Sequence, residues 1–327
     1  MLCNYCERSC EINEGKTGFC RMYTVSDGKI RERFPHRWSA CSTSVIESMP
    51  FYHVHPGSRC LTIGTAGCNF RCSYCSNAHI AKEDPELQQA KMFNIPPDEL
   101  VAMAKRMNCR SIIFNVNEPA VSIPSLIELS HEAEKAGIMT GCLTNGYMTE
   151  ESADILASIF SFFNISLKGL SDSFNKTFIG ISSSKPVLRN IGRLARDSFV
   201  EITTPVIQGE NDNELDDMAE FIAGINPAIP WHVFRLLPED EMKDEEYPDI
   251  NFIDNALTEA RKKLPYIYFH NFVGSDRVNT ICPSCGDVVI ERFSLGCGGD
   301  KLKTDHTAGG CCKSCGSEIH LLNRNLK

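Results

Sequence analysis

Short runs of β-branched and aromatic residues alternate with amphipathic stretches through the middle of this 327-residue chain. The pattern predicts strands over 60–65, 111–116, 138–144, 162–168, 199–206, 231–236 and 266–271. Between them it predicts helices near 97–107, 122–136, 149–159, 184–196, 212–224 and 251–263. Polar residues mark three helix starts: Ser122 before Pro124, Thr149 before Glu150 and Glu151, and Asn213 before Glu214. Strands and helices in this alternation predict βα units on a parallel sheet, hence an α/β class and a full or partial (β/α) barrel. In such a barrel the chemistry sits at the C-terminal ends of the strands. The predicted organisation is a Cys-rich metal-binding head over 1–56, the barrel over 57–273, and a Gly- and Cys-rich tail over 274–327 with little apolar periodicity.

Composition narrows the function classes. Hydrophobic residues make up 42% and charged residues 23%, and no apolar run approaches a membrane span. A formal net charge of −9 argues against nucleic acid as a partner. The N-terminus lacks a basic region followed by an apolar core, so no secretory signal is expected. Seventeen cysteines, most in short-spaced groups, then point to metal binding in a reducing, cytoplasmic compartment rather than to disulfides. Cys60, Cys109 and Cys142 stand apart from the groups within or beside apolar stretches and are expected to be small core residues.

Three cysteines, Cys68, Cys72 and Cys75, follow the first predicted strand with three and then two residues between them. Three thiolates this close can hold three corners of a cubane iron–sulfur cluster, leaving one iron open. A zinc site would normally close all four positions with cysteines two to four residues apart. At the head, Cys3, Cys6, Cys10 and Cys20 complete a four-thiolate set that suits either structural zinc or a closed auxiliary iron–sulfur cluster. In the tail, Cys282-Pro283-Ser284-Cys285-Gly286 and Cys312-Lys313-Ser314-Cys315-Gly316 read as paired knuckles of a zinc-ribbon or rubredoxin-like module. Zinc is the expected ion there, with rubredoxin-type iron the alternative.

The triplet, with Tyr74 just before its last cysteine, resembles the signature of the radical SAM superfamily. That resemblance implies a [4Fe-4S] cluster, S-adenosylmethionine (SAM) chelated at the open iron, and a 5′-deoxyadenosyl radical that abstracts hydrogen from substrate. It also implies reduced ferredoxin or flavodoxin as electron donor. Groups at the predicted strand ends would then contact SAM: Asn117 and Glu118, Asn145, Ser166 and Lys168, Thr203 and His232, with Tyr74 beside the cluster.

Further stretches narrow the resemblance to the radical SAM enzymes of the AmmeMemoRadiSam system, a branch related to pyruvate formate-lyase activating enzymes. They are the head with Gly15, Gly18 and Cys20, then Pro56-Gly57-Ser58, Ile63-Gly64-Thr65 and Asn117-Glu118-Pro119. Thr144-Asn145-Gly146, Glu201 to Pro205, Gly209 with Asn211-Asp212, Pro230-Trp231-His232 and Ile290-Glu291-Arg292 complete the set. Here Asn117 and Glu118 replace the glycine–glutamate motif that holds the SAM amino group. Ser166 stands where many relatives carry Asp, and Ser76 where the branch commonly has Gln, which weakens the analogy with glycyl-radical activation. The resemblance implies hydrogen abstraction from a protein or peptide substrate. Alternatives are modification of a small molecule or amino-acid side chain with help from an auxiliary cluster, and a non-catalytic metal-binding scaffold.

Overall fold

The computed structural model describes residues 1–322; the last five residues of the expected tail lie outside the described residues. Eight strands form one sheet. They are β1 (Ala40–Val45), β2 (Arg59–Gly64), β3 (Ser111–Phe114), β4 (Met139–Thr144), β5 (Phe162–Ser166), β6 (Phe199–Val206), β7 (Trp231–Arg235) and β8 (Ile267–His270). Spatial order follows sequence order from β1 at one edge to β8 at the other. All neighbours from β2 to β8 are parallel, and β1 is antiparallel to β2. No ladder joins β8 to β1 among the described residues, so the expected barrel is a partial one.

All seven strands expected from sequence are present, because a parallel strand covered on both faces must be apolar throughout. All four residues of β3 and the first four of β5 are buried. Helices Pro97–Arg106, Ile123–Lys135, Glu150–Ile159, Lys185–Asp197 and Leu215–Ile225 occupy the expected connections. The last expected helix, 251–263, is instead two short helices, Ile250–Ala256 and Ala260–Lys263. Of the three expected caps only Thr149 acts as one, its hydroxyl accepting from Ser152 N at 3.2 Å. The Ser122 hydroxyl pairs with Thr65 Oγ1 at 2.8 Å instead, and the fifth helix starts two residues after Asn213. Cys60, Cys109 and Cys142 are buried, as expected.

The stretch 40–45 at the end of the expected head is part of the main sheet, although half-buried along nearly its whole length. The tail, which showed little periodicity, contains a three-stranded antiparallel sheet of Thr280–Ile281, Val288–Ser294 and Asp300–Asp305. It docks on the segment after β1 through Arg292, which donates to Tyr52 O at 2.6 Å and, within the tail, to Thr280 Oγ1 at 2.9 Å. Among the described residues no helix is long and apolar enough to cross a membrane.

Candidate active site and metal centres

The C-terminal ends of β3 to β8 and the loop after β2 converge on a cavity of about 340 Å³. Cys68, Cys72 and Cys75 line it together with Tyr74, Asn117, Glu118, Asn145, Ser166, Lys168 and Thr203. Burial holds the Cys68 thiol well above its ordinary value and also raises Cys72 and Cys75. Such thiols must lose protons to a metal before they can act as ligands.

Two asparagines shape the metal loop. The Asn117 amide accepts from Thr65 N at 2.9 Å and donates to Thr65 Oγ1, Ala66 O and Gly67 O, each at 3.0 Å. It therefore braces the turn that launches the triplet. Gly67 in that turn has φ +72°, and an added Cβ would lie 2.5 Å from Cys20 O. Asn145 Nδ2 donates to Asn69 Oδ1 at 2.7 Å and lies 3.8 Å from Cys68 Sγ.

The cavity wall also carries charge. Glu118 is buried and accepts from Ala120 N, Thr144 Oγ1 and Asn145 N at 3.2, 2.8 and 2.7 Å. Burial pushes its carboxyl up to about 7. Lys168 Nζ lies 5.5 Å from the Tyr74 ring centre and makes no ion pair among the described residues. The Tyr74 hydroxyl is buried without a hydrogen-bond partner. Three thiols, a carboxylate, an ammonium and an orphaned hydroxyl around one cavity fit a metal cluster bearing a zwitterionic ligand.

His232 is not among the residues that line this cavity. It is fully buried, with Nε2 2.6 Å from Glu201 Oε2 and Nδ1 3.1 Å from His270 Nε2. The segment after β1 covers it: Pro50 faces the cavity, while the Tyr52 ring packs edge-on against His232 at 4.7 Å. Burial holds its imidazole well below the ordinary value, which suits a neutral structural ring. The cavity in turn includes Asn164, Phe234, Arg235 and Asn271, which the sequence reading missed. Asn164 shares a face of β5 with Ser166 at period two, a signal that could have found it. Asn271 follows β8 and is the last residue of the strand expected over 266–271, so the strand-end rule could have found it.

The tail cysteines gather tightly. Cys282 Sγ lies 3.6 Å from Cys315 Sγ, Cys285 Sγ lies 3.7 Å from Cys312 Sγ, and all four sulfurs fall within 4.8 Å of one another. A tetrahedron with metal–sulfur bonds of about 2.3 Å has edges of about 3.8 Å, so this set fits a single ion. The two knuckles repeat one turn: Gly286 N donates to Cys282 O at 3.0 Å and Gly316 N to Cys312 O at 2.8 Å. Both glycines have positive φ, +82° and +76°, as the turn toward a metal requires.

The head cysteines are arranged differently. Cys3, Cys6, Cys10 and Cys20 all line a second, enclosed cavity against Asn69. Burial pushes Cys6 up to about 12 and Cys20 up to about 11, with the backbone N–H groups of Arg8 and Met22 opposing it. Phe19 N donates to Cys10 Sγ at 3.3 Å.

Residues 62–222 match the Radical SAM superfamily. Along 98% of its length the chain is 29% identical to an uncharacterized protein of Methanocaldococcus jannaschii, covering 96% of that protein. A putative glycyl-radical enzyme activating enzyme of the same organism is 26% identical over 62% of the chain and 78% of that relative. Among solved structures, Streptococcus suis SuiB bound to its precursor peptide SuiA superposes with a TM-score of 0.49 at 14% identity. That match covers 65% of the chain and 47% of SuiB.

Proposed function

The chain carries a radical SAM domain, and from that premise we infer an enzyme that cleaves SAM reductively and takes a hydrogen atom from a protein or peptide substrate. The observation that carries this reading is the convergence of Cys68, Cys72 and Cys75 on one cavity with Glu118 and Lys168. Those thiols would hold a [4Fe-4S] cluster, which would supply the electron and the open iron needed for reductive cleavage of SAM. Glu118 receives the methionine ammonium through a charge-assisted hydrogen bond, and Lys168 neutralises the methionine carboxylate. Asn145, Ser166 and Thr203 offer polar groups around the same cavity, while Tyr74 covers the cluster side. Asn117 acts on the loop, holding Thr65 to Gly67 so that the thiols keep their positions. Leu143, Phe234 and Leu236 exclude water from the reacting centre.

The protein-substrate reading rests on the activating-enzyme relative, and reduced ferredoxin or flavodoxin is the electron donor it requires. One observation favours a small anionic substrate instead: Arg235 lines the cavity, and its Nε is buried without a partner. The tail ion is zinc, held by Cys282, Cys285, Cys312 and Cys315.

Anaerobic protein given dithionite and SAM is expected to release 5′-deoxyadenosine, and replacing Cys68, Cys72 and Cys75 by Ala should abolish it. Continued release from the triple variant would overturn the reading. Deuterium carried from a labelled partner protein into 5′-deoxyadenosine would identify the substrate.

A further inference from the structure

The head and the tail each contribute four cysteines, but their sulfurs are spaced for different guests. Among the described residues, the tail set alone gathers within 4.8 Å, the distance range of thiolates sharing one ion. The four head thiols surround a common enclosed space without gathering that closely. The triplet, which lines its own cavity, behaves in the same way. Wider spacing is what a polynuclear cluster needs, because each thiolate then binds a different iron and the sulfide core lies between them.

The surroundings suit such a guest. Ile12, Phe19, Tyr23 and Val121 supply an apolar wall, and Tyr5 stacks on Tyr23 with ring centres 4.3 Å apart. Cys3, Cys10 and Cys20 pack into a small core with Ile12 and Val25. Gly18 leaves room for Cys10, whose Sγ would lie 3.3 Å from an added Cβ there.

Position matters as much as spacing. Asn69 lines the head cavity, while its chain neighbours Cys68 and Phe70 line the substrate cavity. Arg8 holds the backbone at this junction, its Nε donating to Asn69 O at 2.7 Å and its Nη2 to Gly180 O at 2.6 Å. A redox-inert ion would gain nothing from this adjacency. A cluster would stand one residue away from a ligand of the catalytic one.

We propose that Cys3, Cys6, Cys10 and Cys20 hold a closed auxiliary [4Fe-4S] cluster that passes single electrons through the Asn69 contact to the triplet site. Each transfer oxidises the reduced head cluster by one electron and reduces the triplet site by one, and no proton or atom moves. A low-potential one-electron protein donor of the iron–sulfur or flavin class re-reduces the head. The relay rests on the SAM-cleaving reading above; the presence of the head cluster does not.

Two measurements on the full chain, reconstituted anaerobically, test this. Wild-type protein should contain about eight irons and eight sulfides, with one zinc assigned to the tail. About four irons with two zincs would overturn the proposal. The Cys68→Ala/Cys72→Ala/Cys75→Ala variant should keep half the iron and give a reduced-cluster electron paramagnetic resonance signal that SAM leaves unchanged, since every iron is already ligated by protein. Adding Cys6→Ser and Cys20→Ser should remove that remaining iron while zinc and far-ultraviolet circular dichroism persist. Iron that survives this last change would refute the ligand assignment. Conversely, a wild-type protein with about eight irons but no SAM-sensitive signal from the triplet would count against the SAM reading, not against the head cluster.

Discussion

The triplet loop and the tail both contain cysteines separated by two residues, Cys72 and Cys75 in one, Cys282 and Cys285 in the other, yet they present them oppositely. In the tail two matching turns face each other, and four sulfurs close around a space sized for a single ion. In the loop after β2 the sulfurs line a wide cavity shared with a carboxylate, an ammonium and several amides. Spacing within the motif specifies which atoms can bind metal. The supporting framework decides whether any coordination position stays available. Hairpin tips facing each other consume every position; strand ends around an open mouth preserve one.

The contrast is broken most severely at the tail. Cys285→Ser, or chelation, should release its metal and unfold the small sheet, because structural zinc contributes on the order of 10–16 kcal/mol to such folds. The expected readout is loss of one zinc and new proteolysis beyond residue 280, with the SAM-dependent spectral change at the triplet intact. If that change vanished too, the two regions would not be independent. Arg292→Met attacks the contact between the tail and the segment that carries Glu47 and Tyr52. It removes the donors to Tyr52 O and Thr280 Oγ1 and leaves Glu47, 3.9 Å away and buried, without its positive neighbour. A loss of about 3–5 kcal/mol in denaturant unfolding is expected. Glu118→Gln loses the charge and keeps a single acceptor oxygen, so it can serve Thr144 Oγ1 and Ala120 N or else Asn145 N, but not all three. SAM affinity should fall by about 1.5–3 kcal/mol with iron content unchanged, measured by equilibrium binding. Reduced iron with normal SAM affinity would remove the role assigned to Glu118.

The effect that is smallest near neutral pH concerns acid. Burial pushes His53 down to about 3, and an unfolded histidine titrates near about 6.5. The unfolded chain therefore binds the extra proton between those values. The stability involved is complete above pH of about 6.5 and declines as pH falls toward the folded value, by up to about 1.4 kcal/mol per pH unit. His53 Nδ1 meets His320 O, and Leu322 N donates to His53 O at 2.8 Å. Hydrogen exchange near residues 318–322 should thus rise in acid before exchange around the cavity does.

Much of this architecture is legible in the chain because parallel strands must be apolar on both faces, and β3 and β5 announce themselves that way. β1 escaped because a half-buried edge of Ser, Thr and Cys shows no clean alternation. The fifth helix starts later than its cap suggested because the Glu214 carboxylate serves Leu170 N and Ser171 N across the fold instead. Around the cavity, Glu118 and Lys168 could be found as polar groups just past strand ends. His232 looked equivalent, but the segment carrying Pro50 and Tyr52 lies between it and the mouth, and only tertiary packing reveals that cover. Arg235 and Asn271 depend on how far β7 and β8 extend, and they pair with each other through Arg235 N to Asn271 Oδ1 at 3.2 Å.

Strand β1 has one more implication. It occupies the outer hydrogen-bonding side of β2, the strand that delivers the metal loop, over all six residues from Ala40 to Val45. A chain trimmed before Pro56 would bare that side as an apolar template for like copies. Such a shortened protein is expected to self-associate into insoluble stacks rather than persist as a minimal catalyst.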